Sequence, residues 1–179
     1  SVYGGRRRDP APYTNSDGRV IGDLDAGTAT GSGHGAGDTL DSIENVVGSF
    51  FNDIITGDGG SNVLEGYNGI DTIDGAGGDD TLIGGAGVDY LIGGIGNDTL
   101  SGSGGFDRFI FNQAGFGQDV ITDFTNNQEL MDMRGSGLTY GELTITQVGS
   151  DKVITVNGTS DSITLLGVTT LIDINDFIF

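Results

Sequence analysis

The stretch that decides the fold is residues 48–110, which divides into seven blocks of nine: GSFFNDIIT, GDGGSNVLE, GYNGIDTID, GAGGDDTLI, GGAGVDYLI, GGIGNDTLS and GSGGFDRFI. Position one is Gly in all seven blocks, and position four is Gly in every block except the first, which has Phe51. Position six holds Asp53, Asn62, Asp71, Asp80, Asp89, Asp98 and Asp107, and position eight holds Ile55, Leu64, Ile73, Leu82, Leu91, Leu100 and Phe109.

This pattern predicts a coil. Positions seven to nine alternate outward, inward and outward, which is the period of a short strand. Positions one to six form a turn, in which Gly permits positive φ and close backbone approach. Two blocks make one coil of 18 residues, so we predict an all-β parallel β-roll with two facing sheets. One sheet is expected to stack Ile55, Ile73, Leu91 and Phe109, and the other Leu64, Leu82 and Leu100.

The core of such a roll is thin. One buried aliphatic side chain per nine residues stabilises by only about 1.5–3 kcal/mol, which is less than the backbone entropy lost when nine residues are ordered. The turns must therefore bind something. Stacked position-six carboxylates repel one another unless a cation lies between them, and oxygen ligands of this kind suit Ca²⁺, so we expect about five or more calcium ions. The coil offset pairs Asp53 with Asp71, Asn62 with Asp80, Asp71 with Asp89, Asp80 with Asp98, and Asp89 with Asp107.

A simpler interpretation is that these Asp residues only form Asx turns. Turn chemistry, however, does not require a fixed register of nine residues. We therefore favour the metal-binding interpretation.

The nonapeptide closely resembles the calcium-binding repeat of the RTX family. The resemblance implies that backbone carbonyls complete each site, from positions two and four of one turn and positions one and three of the next turn on that side. For the best-formed site these carbonyls are those of Tyr67, Gly69, Gly84 and Ala86. The other implied carbonyls are those of Ala76, Gly78, Gly93 and Ile95, and of Gly85, Gly87, Gly102 and Gly104.

Two departures from the repeat lie at its N-terminal end. Asn62 replaces an Asp and should weaken its site, and Phe50-Phe51 replaces small turn residues and should distort the first site. Beyond the last repeat, the resemblance implies that Asp119 and Asp123 complete terminal calcium sites.

The flanks are predicted to be caps. Residues 1–13 are expected to form an N-terminal arm with Arg6-Arg7-Arg8, and residues 14–47 a cap with strands over Arg19–Leu24 and Glu44–Val47. Within that cap, residues 39–47 fit the register as a degenerate block with Val46 at position eight, and His34 lies in a Gly-rich loop without a predicted role.

Residues 111–179 are predicted to form a C-terminal antiparallel β cap. Its strands are expected over Leu143–Val148, Lys152–Val156 and Ser162–Leu166. The roll itself is predicted to span 48–110 and to be plugged by Phe109, Phe111, Val120, Ile121 and Phe124. The last residues, Asp176-Phe177-Ile178-Phe179, resemble the uncleaved signal of type I secretion substrates, and they also fit a last strand that packs on the cap.

Composition excludes several classes of function. The net charge of −19 makes nucleic acid and anionic membrane surfaces poor partners. The absence of Cys excludes disulfides and thiolate metal sites, and no apolar run is long enough to span a bilayer. With one His and no Cys, the chain has few of the residues that a nucleophilic triad needs. The sequence also holds no His-Glu-x-x-His motif, no Gly-x-Ser-x-Gly motif and no phosphate loop that ends in Gly-Lys-Ser/Thr.

We therefore expect a non-catalytic, secreted calcium-binding module of the extracellular space or cell surface. It would pass a type I exporter unfolded and fold where calcium is plentiful. The alternative is a polysaccharide-binding module, as in alginate-epimerase-like enzymes or surface adhesins, for which the outward Tyr90 and Arg108 are a hint. A third possibility is a fragment of a larger secreted enzyme.

Overall fold

Two facing β-sheets make up the molecule, which we describe from a computed structural model covering residues 2–3, 10–32 and 37–179. The described residues form nineteen strands: β1 (Val2–Tyr3), β2 (Pro10–Pro12), β3 (Val20–Asp23), β4 (Thr28–Gly31), β5 (Asp38–Asp41), β6 (Asn45–Val47), β7 (Ile54–Thr56), β8 (Val63–Gly69), β9 (Thr72–Asp74), β10 (Thr81–Gly87), β11 (Tyr90–Ile92), β12 (Thr99–Gly104), β13 (Arg108–Ile110), β14 (Gln118–Ile121), β15 (Leu130–Asp132), β16 (Leu143–Val148), β17 (Asp151–Val156), β18 (Ser162–Leu165) and β19 (Phe177–Ile178).

The predicted coil is confirmed by the strand pairing. Consecutive repeat strands alternate between the two sheets, and each pairs in parallel with the strand one coil away, so that Leu82 lies between Leu64 and Leu100. The ten-stranded sheet runs β1-β5-β4-β3-β7-β9-β11-β13-β15-β19, and the nine-stranded sheet runs β16-β17-β18-β14-β12-β10-β8-β6-β2. The fold is therefore the all-β parallel roll that the repeat predicts.

The core consists of two columns of apolar side chains between the sheets. Every predicted position-eight side chain is completely buried, from Ile55 to Phe109. The columns also extend beyond the repeats in both directions. Val46 stacks on Leu64, which agrees with the predicted degenerate block, and Ala11 stacks on Val46. At the other end, Ile121 follows Leu100 and Met131 follows Phe109, as the strand registers show.

The C-terminal region continues the roll before it closes it. β14 and β15 add a parallel strand to each sheet, and β18 and β19 add another. The antiparallel strands β16, β17 and β18 form the predicted meander at the end of the nine-stranded sheet. Two short 3-10 turns, Tyr140–Glu142 and Ile174–Asp176, lie within this region.

The N-terminal region also differs in detail from the prediction. β3 and β6 correspond to the two predicted strands, but β4 forms within the Gly-rich stretch and pairs antiparallel with β3 and β5. Part of the predicted arm, Pro10–Pro12, pairs with β6 as β2. Arg6, Arg7, Arg8 and His34 lie outside the described residues. No helix in the described part of the chain has the length and apolar character needed to cross a membrane.

Candidate calcium sites in the stacked turns

Five position-six carboxylates, from Asp71 to Asp107, are each fixed by the preceding coil. One oxygen, Oδ1, accepts a hydrogen bond from the backbone N–H of the position-six residue 18 positions earlier, at 2.7–2.9 Å. Asp71 holds the N–H of Asp53 in this way, and Asp89 holds that of Asp71. The carboxylates therefore stack in register along each edge of the roll, as the coil offset predicts.

The second oxygen of these carboxylates has no donor. It is buried and makes no hydrogen bond, although a buried polar atom is normally paired. An unpaired buried carboxylate oxygen is costly unless a cation compensates it. The residues with such an oxygen, Oδ2, are Asp71, Asp80, Asp89, Asp98, Asp107 and Asp119.

Position-one glycines leave room beside these free oxygens. A methyl group at Gly66 would collide with Oδ2 of Asp71 and lie 2.6 Å from the carbonyl oxygen of Gly84. The same space beside Gly75 adjoins Oδ2 of Asp80 and the carbonyl of Gly93, which would lie 2.5 Å from an added methyl group.

Carboxylate and carbonyl oxygens from successive turns thus converge on one side-chain-free space. Carboxylates and backbone carbonyls are among the oxygen ligands that Ca²⁺ takes. The residues present therefore fit the ion that the repeat predicts.

Several predicted carbonyl ligands are also engaged between coils. The carbonyl of Ala76 accepts a hydrogen bond from the N–H of Ile95 at 3.1 Å, and the carbonyl of Ile95 accepts one from the N–H of Gly78 at 2.9 Å. The carbonyls of Tyr67 and Gly69 face Gly85 and Gly87 of the next coil at distances that only glycine tolerates. A carbonyl oxygen has two lone pairs, so a carbonyl that accepts one N–H still has a lone pair for a metal ion. The set of carbonyl ligands stays a prediction.

Burial and neighbouring carboxylates both raise the pKa values of these carboxyl groups. Burial, the largest cause, raises the pKa of Asp71 and of Asp80 to about 7, and that of Asp89 to about 6. The carboxylate one coil away contributes to each of these raised pKa values, and the hydrogen bond from the preceding coil acts in the opposite direction. A positive ion between two coils would remove both the burial cost and the repulsion.

The first turn on each side is built differently. Oδ2 of Asp53 accepts the N–H of Ser49 at 2.5 Å, and Oδ1 accepts the N–H of Val20 at 2.6 Å. Oδ1 of Asn62 accepts the N–H of Asp58 at 2.9 Å. Both side chains therefore close their own turns. The sequence signals for this difference were Asn62 itself and Phe50-Phe51, which replaces the small residues of the first turn.

The two acids predicted beyond the repeats have different surroundings. Asp119 has the same hydrogen-bond pattern as the position-six Asp residues from Asp71 to Asp107. Its Oδ1 accepts the N–H of Asp98 at 2.9 Å, and its Oδ2 is unpaired. Burial is the largest cause that raises its pKa to about 8. Asp123 instead accepts hydrogen bonds from Ser101 Oγ at 2.5 Å and Ser103 N at 2.8 Å.

Among the buried acids that were not predicted, Glu129 and Asp161 lie close to the predicted carboxylates. Glu129 precedes Leu130, which pairs with Arg108, so Glu129 takes the position-six place above Asp107. Asp161 lies close enough to Asp119 to raise the pKa of that carboxyl. The sequence signal was an acid two residues before a buried apolar side chain, as in Asp119-Val120-Ile121 and Glu129-Leu130-Met131.

Within the described ranges, no three His, Cys, Asp or Glu side chains come together as a group that could hold a metal ion.

Comparison with known proteins supports this interpretation for the repeats. The family model described as the RTX calcium-binding nonapeptide repeat (4 copies) matches residues 38–73 and 74–109. No curated protein matches the chain.

Three solved structures are similar over about three quarters of this chain. The extracellular lipase LipA from Serratia marcescens is 19% identical with a TM-score of 0.49, and the match covers 75% of this chain and 39% of the lipase. The AlgE6R3 subunit of the Azotobacter vinelandii mannuronan C5-epimerase is 28% identical with a TM-score of 0.30, over 74% of this chain and 81% of that subunit. The AlgE6R2 subunit of the same enzyme is 24% identical with a TM-score of 0.39, over 75% and 92%. The match to the RTX calcium-binding nonapeptide repeat thus covers residues 38–109, which include most of the turns with stacked carboxylates.

Proposed function

We propose that the chain is a non-catalytic calcium-binding module that folds when calcium binds. The observation that carries the proposal is the row of buried carboxylate oxygens without a donor. When bound, calcium supplies positive charge between successive turns. The protein's own residues do the rest: position-six carboxylates fix the coil spacing through Oδ1, and position-one glycines keep the space beside Oδ2 open.

The test compares the chain with and without calcium. Because the apolar core is one side chain wide in each sheet, the chain in excess chelator is expected to show a largely disordered far-UV circular dichroism spectrum. Millimolar Ca²⁺ should restore a β spectrum cooperatively, and Mg²⁺ should not, since it demands a tighter octahedral geometry. A full β spectrum in excess chelator would falsify calcium-gated folding.

We further propose that the module works outside the cell and leaves it through a type I exporter. Calcium-gated folding suits such a route, since the unfolded chain can be threaded and calcium is plentiful outside. The proposed address is Asp176–Phe179. In the fold, Phe177 is buried and β19 pairs with β15, so this segment also has a structural role.

Removal of Asp176–Phe179 separates the two roles. Secretion through a type I exporter is expected to be lost or sharply reduced. Calcium binding by the repeats is expected to stay nearly intact, because β19 pairs with β15 and with no strand of the repeats. Calcium binding is measured on the truncated chain purified from the cytoplasm. Undiminished secretion of this truncated chain would remove the signal assignment.

A second candidate function, binding of an acidic polysaccharide, is favoured by one contact on the outer face of the ten-stranded sheet. The guanidinium of Arg108 lies 5.5 Å above the ring of Tyr90, an arrangement that could hold a sugar carboxylate beside an aromatic surface. Arg108 also pairs with Asp132 at 3.6 Å, which offsets its charge. Retardation by an immobilised acidic polysaccharide, lost in Arg108→Ala, would support this function, and unchanged migration of both proteins would remove it.

A further inference from the structure

The turns of the roll fall into two classes by the use of their position-six side chain. In turns 48–53 and 57–62 this side chain accepts the N–H of position two of its own turn, from Ser49 and Asp58. In the next five turns no N–H reaches Oδ2 of the position-six Asp. When the oxygen accepts an N–H of its own turn, the hydrogen of that N–H lies where a cation would have to approach the oxygen.

The backbone divides the turns in the same way. Position two has a positive φ in each of the five turns with a free oxygen, whereas no residue of 48–53 or 57–62 has one. Three of these five residues are not glycine, and positive φ costs such residues about 1–2 kcal/mol. A conformation of this kind persists only where its surroundings demand it. The five residues are Tyr67 (φ 81°), Ala76 (φ 68°), Gly85 (φ 111°), Gly94 (φ 102°) and Ser103 (φ 66°).

The free oxygens continue beyond the last nonapeptide. Asp119 is 1% exposed, holds the N–H of Asp98 through Oδ1 and has an unpaired Oδ2, as the interior Asp residues do. The longer connection between β13 and β14 therefore preserves the coil-to-coil geometry although the nine-residue spacing is lost.

We infer that the calcium array begins one coil nearer the C-terminal end of the roll than the nine-residue register predicts, on both sides of the roll. The pairs Asp53–Asp71 and Asn62–Asp80 hold no ion, and the first ions on the two sides lie between Asp71 and Asp89 and between Asp80 and Asp98. The array gains a site between Asp98 and Asp119. Asp53 and Asn62 act instead as metal-independent caps of the first coil.

This inference rests on the proposed function, since it concerns which turns hold calcium. It gives the first coil a distinct role: a coil closed by its own hydrogen bonds ends the row of ions on the N-terminal side. At the other end, the row runs on into the connection that leads to β14.

The experiment counts calcium ions per folded chain by native mass spectrometry at saturating calcium, with equilibrium dialysis and elemental analysis as a second count. Asp119→Asn is expected to bind one ion fewer than the wild-type chain, and Asp53→Asn the same number. Asn62→Asp restores the repeat consensus, keeps the side-chain size and is expected to bind no additional ion.

The outcomes separate this inference from the proposed function. Loss of an ion in Asp53→Asn, gain of an ion in Asn62→Asp, or an unchanged count in Asp119→Asn would each overturn the inferred array while leaving a calcium-binding roll in place. If Asp53→Asn does not fold because its cap is lost, the Asn62→Asp count decides the N-terminal boundary alone. A wild-type chain that binds no calcium would overturn the proposed function itself, and the inferred array with it.

Discussion

At the scale of single residues, glycine is required at position one by the atoms around it rather than by its backbone angles. Gly66 has no positive φ, so its conformation is open to other residues. What excludes a side chain is the space beside Asp71 Oδ2 and the Gly84 carbonyl, which a Cβ would fill. The same clash with a position-six oxygen recurs at the position-one glycine of every repeat.

This geometry gives a prediction with a matched control. Gly66→Ala is expected to destabilise the calcium-bound roll by about 1–3 kcal/mol, as overpacking does, and to raise the calcium concentration at the midpoint of folding. Gly59 also lacks a positive φ and has nothing within 4 Å of an added Cβ. Gly59→Ala should therefore be neutral, or stabilising by about 0.4–1 kcal/mol through the unfolded state.

Calcium titrations followed by circular dichroism compare the two variants. Equal midpoints for Gly66→Ala and Gly59→Ala would show that the space beside Gly66 has no role in the bound state.

At the scale of strands, each repeat contributes one side chain to the core, so the columns are sensitive to single deletions. Leu91 is completely buried and lies between Ile73 and Phe109 in adjacent strands. Leu91→Ala is expected to cost about 2–5 kcal/mol, since the backbone hydrogen bonds of the coil prevent the cavity from collapsing. Ile95 is 59% exposed, and Ile95→Ala should change stability by less than about 0.5 kcal/mol.

Urea unfolding at saturating calcium measures both free energies of unfolding. If Leu91→Ala lowers the free energy of unfolding no more than Ile95→Ala does, a core that is one side chain wide in each sheet would be contradicted.

The strands also show what the sequence could predict and why. The coils over 48–110 were predictable because a fixed register places every glycine, acid and apolar residue. β14 and β15 were not, since the connections before them are longer than a repeat turn and break that register, although Ile121 and Met131 occupy the same columns. β4 was missed because it lies in a Gly-rich stretch, and Gly is depleted in strands.

The candidate sites were predictable in composition but not in bonding. Sequence spacing stacks Asp71 on Asp89, but only the structure shows that one oxygen is used by the preceding coil and the other is free. Phe50-Phe51 marks the turn of Asp53 as unusual, but the sequence alone does not show that the carboxylate of Asp53 is bonded differently from that of Asp71. The difference lies in the backbone angle of position two and the N–H of Ser49.

At the scale of the whole molecule, the folded chain without calcium carries a row of buried acids within a net charge of −19. Burial raises the pKa of Asp71 and Asp80 to about 7 and that of Asp119 to about 8, from an ordinary value of 3.8. Below an ordinary carboxyl pKa these groups are protonated in both the folded and unfolded chains. As pH rises from there, the unfolded chain loses its protons first, so the metal-free fold is destabilised progressively until the raised pKa values are passed.

Protons should therefore partly replace calcium. In excess chelator, acidification from pH 8 toward pH 4 is expected to increase the β signal in far-UV circular dichroism, with most of the change below about pH 7, because neutral carboxyl groups no longer repel one another or resist burial. Asp119→Asn removes the group with the pKa of about 8 and should weaken the part of the change that occurs nearest neutral pH. A β signal in chelator that stays flat or falls over this range would mean that the buried carboxylates do not limit folding of the metal-free chain.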